Sequence, residues 1–154
     1  MRSSYLLAAG LCLAAMTIQP AIGAPQPGEG DLDGVYEFVR LDAPDGPNTS
    51  QKGMMIVKGD YLCHIRVRKE REKRAQGDSQ EERARKSAAA LRGANASCGH
   101  FTADGSQVNA RWKVAIDPNI EENTPQYTFV LEGDTLRVSP ATAPEFKFVY
   151  KKIQ

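Results

Sequence analysis

The stretch that most constrains the fold lies at residues 108–119. Val108, Ala110, Trp112, Val114 and Ile116 alternate with Asn109, Arg111, Lys113, Ala115 and Asp117. A period of two over nine residues predicts a long β-strand with one buried face and one wet face. Asp117-Pro118-Asn119 ends the run with turn chemistry. A strand of this length, carrying the only tryptophan in the chain, must lay its apolar side on something else.

The remainder of the chain supplies partners for it and very little helix. Strands are predicted at residues 34–41, 53–58, 61–68, 99–103, 126–131, 135–139 and 145–153. Gly59-Asp60, Asp104-Gly105 and Glu132-Gly133-Asp134 supply the tight turns between them. In the strand at 61–68, Tyr61, Cys63, Ile65 and Val67 share one face, and Leu62, His64, Arg66 and Arg68 the other. Residues 43–52, with two prolines and Asp45-Gly46, read as a loop.

Ser79-Gln80-Glu81-Glu82 is a capping box, so a helix is expected from there to Arg92, stopping at Gly93. Its apolar face, Ala84, Ala88 and Leu91, is thin, enough to lie over one end of a sheet. Residues 70–77 before it are charged and read as mobile. Eight antiparallel strands joined mostly by hairpins have a closed solution that removes both edges. The fold class expected is therefore all-β, an eight-stranded antiparallel up-and-down barrel with one short helix between strands three and four. An open sandwich is the alternative.

Residues 1–23 read as a signal peptide: Arg2 charged, an apolar run over residues 5–18, and Ala21-Ile22-Gly23 as a small-x-small cleavage site. A retained N-terminal anchor is the alternative. Residues 24–31, rich in Pro and Gly, form a flexible lead-in, and residues 32–154 form one domain. Export, to the periplasm or the medium, leaves Cys63 and Cys98 as the mature cysteines, and one disulfide is expected between them.

Charge excludes one class of function. Beyond residue 23 the chain has 19 basic and 19 acidic residues, which argues against a general nucleic-acid binder. Residues 66–92 nevertheless hold ten Lys or Arg against five Asp or Glu, so the region Arg66–Arg92 is a candidate for meeting an anionic surface.

Three short segments resemble the lipocalin-like domain family, small barrels of the calycin type. Leu32-Asp33-Gly34-Val35-Tyr36 followed by Val39 is similar to that family's opening strand. Gly99-His100-Phe101-Thr102-Ala103-Asp104-Gly105, leading to Val108 and Pro118-Asn119, resembles its central hairpin. Phe129-Val130-Leu131-Glu132-Gly133-Asp134-Thr135-Leu136 resembles its late hairpin. Ala110 and Arg111 stand where the family often has paired histidines. The resemblance implies a β-barrel with an internal cavity for a small molecule.

Nothing in the chain matches a nucleophile elbow, a Walker loop, a dinucleotide fingerprint or a zinc helix. Cys63-His64 and Cys98-x-His100 tempt as a metal site, but Cys63 and His64 point to opposite sides of one strand. No metal and no cofactor is expected. The function expected is an exported protein binding a small apolar or amphipathic molecule. A cavity enzyme of the cyclase or isomerase kind and a protein-interaction or inhibitor module are the alternatives. Candidate ligand-binding residues are Tyr36, Phe38, Arg40, Met54, Ile56, Ile65, Phe101, Trp112, Val114 and Phe129, with Phe148 beside them. Arg40 enters because Tyr36, Phe38 and Arg40 share a face by alternation, where a guanidinium could hold a ligand carboxylate.

Overall fold

The structure is a computed structural model, and it describes residues 29–154. The signal peptide expected at residues 1–23 lies outside the described residues, as does most of the lead-in. The last three residues of that lead-in, with Leu32, form a single 3-10 turn, Glu29–Leu32.

Nine strands follow. They are β1 Gly34–Ala43, β2 Gly46–Asn48, β3 Gln51–Lys58, β4 Tyr61–Arg68, β5 Ala94–Asp104, β6 Gln107–Ala115, β7 Gln126–Glu132, β8 Thr135–Pro140 and β9 Lys147–Lys152. Every pairing is antiparallel, and β9 returns to β1. Eight of the strands thus close a barrel, while β2 hangs on the end of β1 through Leu41–Asn48 and Ala43–Gly46 pairs. No sheet edge of the barrel proper is left bare, which is the physical reward of closure.

One helix, α1 Gln80–Arg92, is capped by Ser79 and Glu82 in a reciprocal box, as the sequence implies. Its place in the order differs from expectation. The loop expected at residues 43–52 contains β2, so α1 follows the fourth strand and not the third. Nor does it cover the barrel. No residue of α1 is buried, and Leu91 is 59% exposed. An apolar face of two alanines and a leucine buries too little area to hold a helix down. Ion pairs tie it instead to the preceding segment: Lys86 meets Asp78 at 2.9 Å, and Arg85 meets Glu72 at 3.1 Å.

The two ends of the barrel are built differently. At one end lie the three tight turns, around Gly59, Gly105 and Gly133. A positive φ near +58° at Gly105 and Gly133 lets two-residue connections match the strand twist. The 3-10 turn closes this end: Leu32 is fully buried, and the Tyr36 hydroxyl donates to its carbonyl at 2.7 Å. Val57, Leu62, Phe101, Val108 and Leu136 fill the space around them. Both ends of the described chain also leave from here, Ile153 N–H donating to Val35 O at 2.8 Å.

All the long connections gather at the other end. These are the β2 excursion, the segment carrying α1, residues 116–125 and residues 141–146.

Two bulges set which side chains look inward. In β1 the register slips between Phe38 and Arg40, and in β6 it slips opposite Cys98 and Gly99. Val39 and Lys113 are the extra residues. After each, the alternation changes phase. Arg40 therefore pairs beside Val149 on the outer surface, and Leu41 takes the inward place opposite Phe148. Val114 likewise pairs with Cys98 on the outside and is 65% exposed. Gly99 sits at the tight approach: a Cβ there would lie 2.0 Å from the Arg111 carbonyl oxygen.

Candidate functional site

A cavity of about 290 Å³ occupies the loop end of the barrel. Its floor is apolar, made by Met55 of β3, Leu62 of β4, Trp112 of β6, Phe129 of β7 and Val138 of β8. Its upper wall is not. His64 and Arg66 enter from β4, Asn95 and Ser97 from β5, and Gln126 and Tyr127 from β7. Phe148 and Tyr150 of β9 face them, and Ile120, Pro125, Pro140 and Thr142 sit around the mouth. No Asp or Glu is part of the lining.

Arg66 dominates the electrostatics. Its guanidinium carbon lies 3.8 Å from the centre of the Phe148 ring and 5.9 Å from that of Phe38, a cation–π arrangement. Its Nε is buried without a hydrogen-bond partner, and among the described residues Arg66 forms no ion pair. Burial pulls its pKa down, opposed by the Tyr150 and Tyr127 phenols. A guanidinium stays charged regardless, so the cavity contains a cation with no counter-charge.

His64 sits one inward position along the strand, with Nε2 at 2.6 Å from Asn95 Oδ1 and its ring edge-on to Trp112. Desolvation lowers its pKa, with Arg66 adding to the effect and the Asn95 hydrogen bond opposing it. The imidazole is therefore neutral at pH 7. Tyr150 is pushed up to about 12 by burial, with Arg66 pulling it back and Tyr127 pushing further. Tyr127 is raised by burial too, against a hydrogen bond with Trp112 and the Arg66 charge. Ser97, only 3% exposed, has a hydroxyl with no partner.

The mouth is shaped by residues 116–125 folding back on β6. Glu122 N–H donates to the Trp112 carbonyl at 2.9 Å, and Glu122 adopts a positive φ of 62° to do so. Its carboxylate accepts from Arg111 at 2.8 Å and from the bulge residue Lys113 at 3.2 Å. This loop brings Ile120 and Pro125 over the cavity.

The residues expected from sequence divide cleanly. Trp112, 3% exposed and inside the barrel, and Phe129 line the cavity, as does Phe148. Tyr36, Phe38 and Phe101 are buried in the barrel but do not line the cavity. Met54, Ile56 and Ile65 lie on the outer surface, each more than two-fifths exposed. Met55 and Val57 hold the inward places beside Met54 and Ile56, because β3 carries apolar residues on both faces, and His64 and Arg66 hold them beside Ile65, because the more polar face of β4 is the inner one. Val114 and Arg40 are turned outward by the bulges, and Arg40 pairs with Asp42 at 2.7 Å.

Cys63 and Cys98 are disulfide-bonded, directly opposite one another on β4 and β5 and on the outer face. That pairing was the signal for the inward residues. With Phe101 inside, parity puts Cys98 outside; its bonded partner Cys63 must follow, which turns Leu62, His64 and Arg66 inward. Arg66 therefore does not belong to a basic surface with the helix, and the basic helix residues Arg85 and Lys86 are paired with Glu72 and Asp78. His64 and His100 point to opposite sides, and no three potential metal ligands converge among the described residues.

Comparison with family models, with curated proteins and with solved structures gave no match. No helix among the described residues is long and apolar enough to cross a membrane.

Proposed function

We propose that this chain is an exported binding protein that holds a small amphipathic molecule in the open half of its barrel. The observation that carries the reading is the division of the interior: one half packed solid, the other enclosing about 290 Å³ with an apolar floor and a polar upper wall. A core built only for stability would fill that space, since each void forfeits packing contacts. The volume lies at the small end of the roughly 300–1,000 Å³ usual for ligand sites. Absence of a carboxylate from the lining favours holding a molecule over chemistry that needs a paired carboxylic acid and base.

The Cys63–Cys98 disulfide supports export, because such bonds persist in oxidising compartments. The closed eight-stranded barrel supports kinship with lipocalin-like domains, which the hairpin motifs suggest.

Trp112 on the cavity wall supplies the test. The neutral dye N-phenyl-1-naphthylamine, titrated into the purified protein, is expected to gain fluorescence and to quench Trp112 by energy transfer, saturating at one site. A dye that neither brightens nor quenches Trp112 would overturn the reading.

A further inference from the structure

The head group that such a molecule must carry can be read from five side chains. Arg66 is the only full charge on the cavity wall, and no acidic residue faces it there. The Phe148 ring covers the guanidinium carbon at 3.8 Å, and the N–H donors lie around the rim of that group, where a coplanar partner would meet them. Nε of that rim has none. Ser97 lines the same cavity, and its hydroxyl too is buried without a partner. It pairs with His64, while Arg66 pairs with Asn95, so Ser97 and Arg66 are diagonal neighbours on adjoining strands. Such neighbours stand about 7–8 Å apart at the backbone, within reach of one small group held between them. Tyr127 and Tyr150 add phenol groups kept protonated well above neutral pH.

A desolvated cation beside a desolvated donor is an expensive arrangement that an anion would relieve. Building on the ligand-binding reading, we infer that the ligand is a small monocarboxylate: its carboxylate lies edge-on to the Arg66 guanidinium and accepts from Ser97, and its apolar body rests against Trp112, Phe129 and Val138. One cation suits one negative charge. A planar fork suits a planar carboxylate better than a tetrahedral dianion.

Three probes of equal chain length test this on the wild-type protein: octanoate, 1-octanol and octylammonium, titrated by calorimetry with Trp112 fluorescence in parallel. Octanoate is expected to bind about 10- to 100-fold more tightly than octanol, the span of charge-assisted hydrogen bonds, and octylammonium least of all. In Arg66→Met the preference for octanoate over octanol is expected to vanish while octanol still binds. Arg66→Lys should recover only part of it, and Ser97→Ala should weaken octanoate several-fold without touching octanol.

Octanol binding as tightly as octanoate to the wild type would overturn the carboxylate while leaving the cavity reading intact. Binding of none of the three, together with no response to the neutral dye, would remove both. Should Arg66→Met fail to fold, the ranking of the three probes on the wild type decides alone.

Discussion

The two halves of this barrel are made from the same strands and follow opposite rules. Around the tight turns, the interior is chosen by hydrophobicity: Leu32, Val57, Val108 and Leu136 are essentially inaccessible, and the one hydroxyl there, on Tyr36, is spent on fastening the closing turn. Around the long loops, the same strands point His64, Arg66, Asn95 and Ser97 inward, with donors left unmatched. The difference shows where stability is made and where it is given up. Unsatisfied buried groups are tolerated in one half because the other half, the barrel hydrogen bonds and a disulfide hold the frame.

This contrast can be broken or sharpened by experiment. Leu136→Ala, in the solid half, is expected to cost about 2–5 kcal/mol by denaturant unfolding with an unchanged slope. A cost near zero would mean that this half is not the stabilising one. Removing the disulfide with Cys63→Ser and Cys98→Ser together releases a closure spanning 35 residues and should cost on the order of 3 kcal/mol. Because the bond clamps β4 to β5, the variant should also weaken dye binding, whereas Leu136→Ala should not.

Alkaline unfolding reports on the wall between the halves. The Tyr150 phenol is raised in the folded state to about 12, so an unfolded chain ionises first. Stability is then fully present below about pH 10 and is lost as pH rises towards 12, by up to about 2–3 kcal/mol. Tyr150→Phe should flatten that loss; an unchanged pH profile would place the phenol in water.

Arg66→Met is expected to act in the opposite direction, stabilising the ligand-free protein by about 1–2 kcal/mol, since an uncompensated buried charge gives way to an apolar side chain of similar length. A destabilised variant would indicate that the contact with Phe148 outweighs the desolvation. Smallest of all, Glu122→Ala should leave the denaturant midpoint almost unchanged, its ion pairs being exposed, while speeding dye release by loosening residues 116–125.

Much of the frame was legible in the sequence. Hairpin glycines, the alternation around Trp112 and the capping box at Ser79 fix strands, closure and helix, because each is a local rule with a local signal. The facing of individual residues was legible only in part. Val39 and Lys113 shift the phase without any composition cue, so Arg40 and Val114 look inward on paper and outward in the fold. Strand β3 carries apolar residues on both sides and β4 turns its more apolar side outward, so hydrophobicity picks Ile56 and Ile65, the wrong side. Arg66 escaped for a deeper reason. Sequence reading assigns charge to the surface, and the loop-end cavity is the part of the molecule where that assumption fails.

The pairing of Val35 with the last two residues has a practical corollary. The start of β1 and Gln154 lie together at the pole opposite the cavity mouth. A tag, a bead or a fusion partner attached through Gln154 would therefore stand behind the barrel and leave the doorway facing free solution. Immobilised protein should accordingly exchange small molecules as freely as protein in bulk.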